Sequence, residues 1–340
     1  VSDFLRTLEH IADETRVLGP DWISHAELGR VAVRDPSGGT GAADPVQRFL
    51  TSLLYLHYHA RDRRGVAALL SGESVRSALP AGEDPGFADG ILAGVVGEGY
   101  LVEGFEVAAV DGDHVDLEAH GLRLRARRCD LRWSGPLRAG GEASVRFPPY
   151  RRYLQRGRLL VVGDACTGGP RPEDVVRCYL RPRAASVPAF TAGLTGRLNT
   201  LRVRFQLKLA SHPDGHERTD AVVAYVPLAD WDRVRGPVDA LCADFADDLT
   251  GETPCFALRI RPGWAVAVDR ARPGSPSFGR NRCAMVARGL VAARRTGPNT
   301  AGHRFASVFT ALKEEGVDPR RPYLDPALDP PSFPEPAEAE

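Results

Sequence analysis

The sequence predicts an α+β protein, and three observations predict it. Amphipathic runs at helical spacing fill the first 94 residues, alternating apolar and polar residues dominate from 95 onward, and from 171 the two patterns interleave. The expected organisation is a helical region (1–94), a β-rich segment that could dock a peptide or partner (95–170), an α+β unit with an antiparallel or mixed sheet flanked by helices (171–326), and an acidic tail (327–340).

The elements follow in order. "DFLRTLEHIADETRVL" and "DPVQRFLTSLLYLHYHARD" carry apolar residues three and four apart. Asp44 before Pro45 supplies a cap followed by the residue best tolerated in a first turn. Between these helices "RDPSGGTGAADP" reads as a flexible loop. It lacks the Gly-Lys-Ser/Thr signature and the preceding strand of a phosphate-cradling loop. "FEVAAVDGDHVDLEAHGLRLRA" alternates around Asp-Gly-Asp, a hairpin signal. In "GEASVRFPPYRRYLQRGRLLVVGDA", Pro148-Pro149 interrupts the strand pattern. Tyr150, Arg151, Arg152 and Tyr153 there read first as a solvated strand edge and second as a peptide or nucleic-acid contact. Within 171–326, strands are expected near 175–181, 202–210, 219–226 and 255–261, and helices near 186–198, 230–250, 277–295 and 303–316. The proline-rich, acidic tail is expected to be disordered.

A formal net charge of zero, with 43% apolar and 26% charged residues, describes an ordinary globular chain. It argues against general nucleic-acid or membrane-surface binding. No apolar run approaches the roughly 18 residues of a membrane span, and the N-terminus lacks a signal pattern, so a cytoplasmic location is expected. The six cysteines are scattered with no C-x-x-C pair, which speaks against a disulfide framework or zinc site. Cys178, Cys242, Cys255 and Cys283 sit among apolar residues and read as buried. His57 and His59 lie in an apolar helix and read as core residues, and no Asp/His metal constellation is visible. Neither metal nor cofactor is expected.

The 44 basic residues comprise 42 arginines and two lysines, Lys208 and Lys313, and Lys208 falls inside an expected strand. Strand parity puts Arg202, Arg204, Gln206 and Lys208 on one face, Arg177, Tyr179 and Arg181 on another, and Arg259 with Arg261 on a third. Each opposes an apolar face. Clustered cations repel, so an anion-binding concavity explains the pattern better than a plain solvated face. The helix at "SFGRNRC" adds Ser277 as a cap, free N–H groups and the charges of Arg280 and Arg282. Arginine forks suit phosphate oxygens. A lysine among cations can shed its proton and act as a base, where arginine cannot. The plainer alternatives are a point charge on phosphate or an ion pair with Asp220. Kinase signatures are missing, whereas β-elimination from phosphoserine or phosphothreonine needs only a base, cations for the leaving group and an acid such as Tyr179 or His212.

The runs "AFTAGLTGRLNTLRVRFQLKLASHPDGHERTDAVVAYV", "PCFALRIRPGWAVAVD", "SFGRNRC" and "GVDPRRPYLDP" resemble the HopA1-type proteins, named after a bacterial type III secreted effector. The resemblance is strongest over 174–326 and weaker towards the N-terminus, where "FLTSLLYLHYHAR" also belongs to it. It implies a fold similar to phosphothreonine lyases. It also implies a role in class V lanthipeptide or thioamitide biosynthesis, an antibiotic-type pathway. There a kinase-like protein phosphorylates a precursor peptide (leader and core) and the HopA1-type partner eliminates phosphate to give dehydroalanine or dehydrobutyrine. Carried over, Lys208 matches the base, Arg218 a phosphate-holding arginine and Arg261 a later one. "RCYLRP" departs from the lyase pattern, offering Arg177, Tyr179 and Arg181 where Lys-x-His is expected, which leaves the acid open between Tyr179, His212 and water. Asp220 either orients Lys208 or an arginine, or forms a structural pair. Two other classes stand beside the lyase: a phosphopeptide-binding module without turnover, and an effector-like interaction protein.

Overall fold

The computed structural model describes residues 3–34, 44–73, 82–166, 174–270 and 274–333. Helix α1 (Asp3–Glu14) buries Leu8, Ile11 and Ala12 on one face, as their spacing requires. A small antiparallel meander follows, β1 (Thr15–Val17), β2 (Trp22–His25) and β3 (Gly29–Ala32), inside the region expected to be helical. Strands of three or four residues are too short to register as alternation. Helix α2 (Pro45–Leu54) starts as expected, Asp44 Oδ1 accepting the Val46 N–H at 2.9 Å. Its continuation widens into a π turn over Tyr55–His59. Helices α3 (Arg63–Ser71) and α4 (Pro85–Ala93) are capped by Asp62 and Asp84. Residues 35–43 of the glycine-rich loop lie outside the described residues.

The middle segment forms β4 (Tyr100–Asp111), β5 (His114–Ala119), β6 (Leu122–Arg127), β7 (Leu131–Trp133) and β8 (Glu142–Phe147). They make an antiparallel sheet ordered β6-β5-β4-β8-β7 around a small core of Phe105, Val107, Val115, Leu117 and Val145. Asp111 pairs with His114 across the expected turn, where Gly112 takes φ +56°.

The remaining elements are β9 (Tyr150–Gln155), β10 (Arg158–Val162), β11 (Asp174–Leu180), α5 (Val187–Thr200), β12 (Gln206–Ala210), β13 (Val222–Pro227), α6 (Trp231–Asp244), β14 (Leu258–Arg261), β15 (Trp264–Arg270), α7 (Phe278–Thr296) and α8 (Ala301–Glu314). Seven strands form one antiparallel sheet in the order β14-β15-β11-β13-β12-β10-β9. This corrects the boundary expected at 170: β10 pairs with β12, so β9 and β10 belong to the large sheet, and the break falls at Pro148-Pro149. Strand β12 starts later than expected, because Arg202 takes φ +53° in the turn after α5. Strand β15 was not expected. It is buried on both faces and so shows no alternation.

Helices cover both faces of this sheet. Leu194, Leu198, Trp231 and Leu241 from α5 and α6 pack on one side with Leu207, Leu209 and Val222. On the other, Phe49, Leu53, Phe278, Val286 and Leu290 from α2 and α7 pack over Tyr179, Val223, Ala265 and Ala267. The open cationic front expected from parity is therefore largely roofed, because most of its residues beyond the arginines are apolar and demand cover. Within the expected disordered tail, Ser332 and Phe333 lie against α6: Trp231 Nε1–H donates to the Ser332 carbonyl at 3.1 Å, and Phe333 packs on Trp231 and Tyr323. Phe333 supplies an aromatic anchor that the tail's overall composition conceals. Among the described residues, no helix is long and apolar enough to cross a membrane.

Candidate active site

Among the described residues the roof leaves an opening on the sheet, and register shows what lines it. Lys208 pairs with Leu160 on β10 and Val223 on β13, Arg158 pairs with Ala210, and Tyr225 pairs with both Gln206 and Arg177. Antiparallel partners share a face, so Lys208, Arg158, Arg177 and Tyr225 all point to the α7 side. Val223 and Tyr225 on β13 stand between Lys208 and Arg177, so these cations are staggered across the sheet. Together they line a cavity of about 300 Å³, closed by Leu154, Gln155 and Leu160 on one side and by Ser275, Pro276 and Ser277 above. Ser277 is the N-cap of α7, so the positive end of a 19-residue helix begins at the rim.

Each arginine is held from behind. Arg177 Nε donates to Asp269 Oδ2 at 2.8 Å, and its guanidinium lies 5.1 Å over the Tyr225 ring. Arg158 Nη1 donates to the carbonyls of Asp220 and Ala221 at 3.2 Å, with the Asp220 carboxylate 3.8 Å from Nη2. Asp220 is a buried hub: it accepts from Arg218 Nε at 2.7 Å, Arg218 Nη2 at 3.0 Å and the Tyr55 hydroxyl at 2.6 Å. Burial alone would raise its pKa, yet the Arg218 and Arg158 charges hold it well below the usual carboxylate range. Arg218 also pairs with Asp62, the cap of α3.

The π turn ties the helical layer to this hub. Thr219 donates its N–H to the Ala60 carbonyl at 3.0 Å and its hydroxyl to the His59 carbonyl at 2.5 Å. The His59 imidazole lies directly against Gly279 in the first turn of α7, where any Cβ would collide with it. Glycine at 279 is thus what lets α7 start where it does. Burial pushes the His59 pKa down to about 4, so the ring is neutral in the folded protein.

The other residues singled out by sequence are placed elsewhere. Tyr179 shares the Lys208 face but is buried between His59 and Phe278, and burial raises its hydroxyl pKa well above the usual value. His212 caps the short turn Pro213–Glu217, its Nδ1 accepting the Asp214 N–H, and does not line the cavity. Arg218 is committed to two carboxylates. Arg181 bonds Glu252 and the Glu217 carbonyl, and Arg204 is exposed ahead of β12. Arg259 lies on β14, four strands from β12. Arg261, expected beside Arg259, falls on the opposite face: β14 slips register between the two, so Arg261 pairs with Trp264 and bonds Asp239 of α6 at 2.5 and 2.8 Å. Arg280 stacks 5.2 Å over Tyr55, and Arg282 is buried, donating to the carbonyls of Pro322 and Leu324. Of the twelve residues, Lys208 and Arg177 line the cavity, and Asp220 stands behind it.

Sequence reading missed Arg158 and Tyr225. Arg158 shares a face with Leu160 and Val162 in "RLLVV", and Leu159 and Val161 opposite are apolar too, so no alternation marks it out. A second cluster was also missed, Glu14, His25 and His57, whose ligand-type atoms lie within 4.8 Å of one another. They come from α1, β2 and the π turn, so spacing could not reveal them. His25 Nδ1 accepts the Glu27 N–H at 3.2 Å, which leaves the imidazole hydrogen on Nε2, facing the Tyr58 hydroxyl at 2.8 Å. Tyr58 in turn donates to Glu14 at 2.7 Å. A metal would need the Nε2 lone pair, so this closed hydrogen-bond chain does not fit one at that atom. The six cysteines are unpaired thiols.

The chain is similar to two solved structures, described as "the effector protein from Pseudomonas syringae pv. tomato strain DC3000" (15% identity, TM-score 0.40) and "the effector protein from Pseudomonas syringae pv. syringae strain 61" (21% identity, TM-score 0.37). Both matches cover 49% of this chain and 62% of the effector's own length. No curated protein is found to be similar to this chain. A family model described as the HopA1 effector protein family matches residues 150–324, from the first residue of β9 through all seven strands of the large sheet to the loop after α8. That match takes in just over half of the sequence, and the protein belongs to the HopA1 effector protein family.

Proposed function

We propose that the protein is a phosphoserine/phosphothreonine lyase acting on a ribosomally made precursor peptide in the cytoplasm, after a kinase-like partner has phosphorylated it. The observation that carries this reading is an amine, Lys208, lining a cavity whose other charged lining groups, among the described residues, are the guanidiniums of Arg158 and Arg177. Like charges favour the neutral amine over the ammonium form, which suits a base. Lys208 Nζ takes the α-proton of the phosphorylated residue. The Cα–H electrons form the Cα=Cβ bond, the Cβ–O bond breaks, and phosphate departs with that electron pair. Arg158, Arg177 and the start of α7 neutralise the departing charge. Of the proton donors in view, Tyr225 lines the cavity, whereas Tyr179 and His212 do not. The lanthipeptide-type precursor and the kinase partner rest on sequence resemblance.

The test is incubation with phosphorylated precursor peptide followed by mass spectrometry. Elimination removes the elements of phosphoric acid and leaves an alkene that added thiol traps. Hydrolysis would restore the alcohol instead. An unchanged mass with retained phosphopeptide affinity would favour the binding-module reading and overturn the lyase.

A further inference from the structure

Strand β9 is the outer edge of the large sheet next to the cavity, and its tip is not the polar edge such a position calls for. Tyr153 is 76% exposed and Leu154 64%, and neither belongs to a core cluster. Tyr153 takes φ +66°, a conformation that costs energy for a residue with a Cβ. The hairpin register slips there too: Gln155 faces Arg158 while Arg151 faces Leu160, so residues 152–154 bulge outward. The exposed ring is nonetheless held in place. The Arg152 guanidinium lies 5.3 Å over it, and Arg152 itself bonds Glu83 at 2.7 Å and Asp89 at 2.6 Å. A held, exposed aromatic loses little freedom on binding and is a recurring recognition device. Leu154, its neighbour, lines the same cavity as Lys208, Arg158 and Arg177. Leu154 thus brings an apolar side chain to the mouth of the cationic cavity, with the exposed Tyr153 next to it in the chain.

We propose that Tyr153 and Leu154 form a subsite for an apolar side chain next to the phosphorylated residue of an extended peptide substrate. The phosphate enters the cavity and the neighbouring side chain lies over these two residues. The proposal rests on the phosphopeptide reading above. Charge complementarity selects the anion, and continuity of Leu154 with the cavity selects a ligand that carries an apolar group beside it. Free phosphate would leave Tyr153 and Leu154 uncovered.

The experiment measures binding of short dye-labelled peptides to the wild-type chain. Each contains a phosphonate analogue of phosphoserine, with carbon replacing the ester oxygen so that elimination cannot occur. One peptide has leucine on both sides of the analogue, one has serine, and each has an anion-free counterpart. The leucine-flanked peptide is expected to bind about tenfold tighter than the serine-flanked one, as covering one leucine-sized side chain implies. The double variant Tyr153→Ser, Leu154→Ser should erase this preference, so that leucine- and serine-flanked peptides bind it alike. Both positions are exposed, so folding is not at stake. Equal binding of the two peptides to the wild type, or a preference that survives in the variant, overturns the subsite while leaving anion dependence intact. Loss of anion dependence itself would instead sink the phosphopeptide reading, and the subsite with it.

Discussion

Replacing Asp220 by alanine removes the acceptor on which the buried network converges. Asp220 is 8% exposed and accepts from Arg218 twice and from Tyr55, with Arg158 close by. Without it, the partners left among the described residues are Asp62 for Arg218 and backbone carbonyls for Arg158. Removing one partner of a buried ion pair costs about 3–5 kcal/mol, because a charge is left uncompensated. At a urea m-value of about 3 kcal/mol/M, that moves the unfolding midpoint down by about 1 M or more. Arg218→Ala should cost a similar amount. The double variant should cost little more than the larger single, giving a coupling of at least about 2 kcal/mol in a double-mutant cycle read by urea denaturation. A loss below about 1 kcal/mol for Asp220→Ala, or additive effects, would refute the hub.

Further outcomes follow from the same geometry. Arg158→Ala and Arg177→Ala should each weaken phosphopeptide affinity about 10- to 100-fold, the worth of a charge-assisted hydrogen bond, in a titration where Arg261→Ala has no effect; equal weakening by Arg261→Ala would contradict the face assignment. Burial pushes His59 and His216 each down to about 4 from an ordinary 6.5, so between these values the unfolded chain binds protons that the folded one refuses. Stability should therefore rise with pH from 4 to 6.5, by up to about 3 kcal/mol per histidine, and a flat urea midpoint across that window would refute it. Asp220, depressed in the folded state, adds stability that is present above the unfolded carboxylate value and is lost as pH falls below about 4 towards its folded value.

What could be read from sequence was what is local. The Asp44–Pro45 start of α2, the hairpin at Gly112 and the strand holding Lys208 each carry their signal within a few residues. Parity singled out Lys208 and the helix-start pattern singled out Ser277, and both line the cavity. What failed depended on distant pairing. Arg261 turned to the far face through a register slip that no periodicity announces, and Arg218 was claimed by Asp62 from 156 positions away. Arg158 was lost with β10, because a hairpin joined to the middle segment in sequence is joined to β12 in space. The small meander and the Glu14–His25–His57 cluster were likewise invisible, being built from residues brought together only by the fold.

The most direct measurement compares wild type with Lys208→Arg on one phosphorylated precursor peptide, by mass spectrometry and binding in parallel. If Lys208 Nζ is the base, wild type converts phosphoserine to a thiol-trappable dehydroalanine, and the arginine variant binds the peptide but leaves its mass unchanged. Turnover by Lys208→Arg at a rate near that of wild type would show that the site needs only a positive charge at 208, and the elimination mechanism would fall.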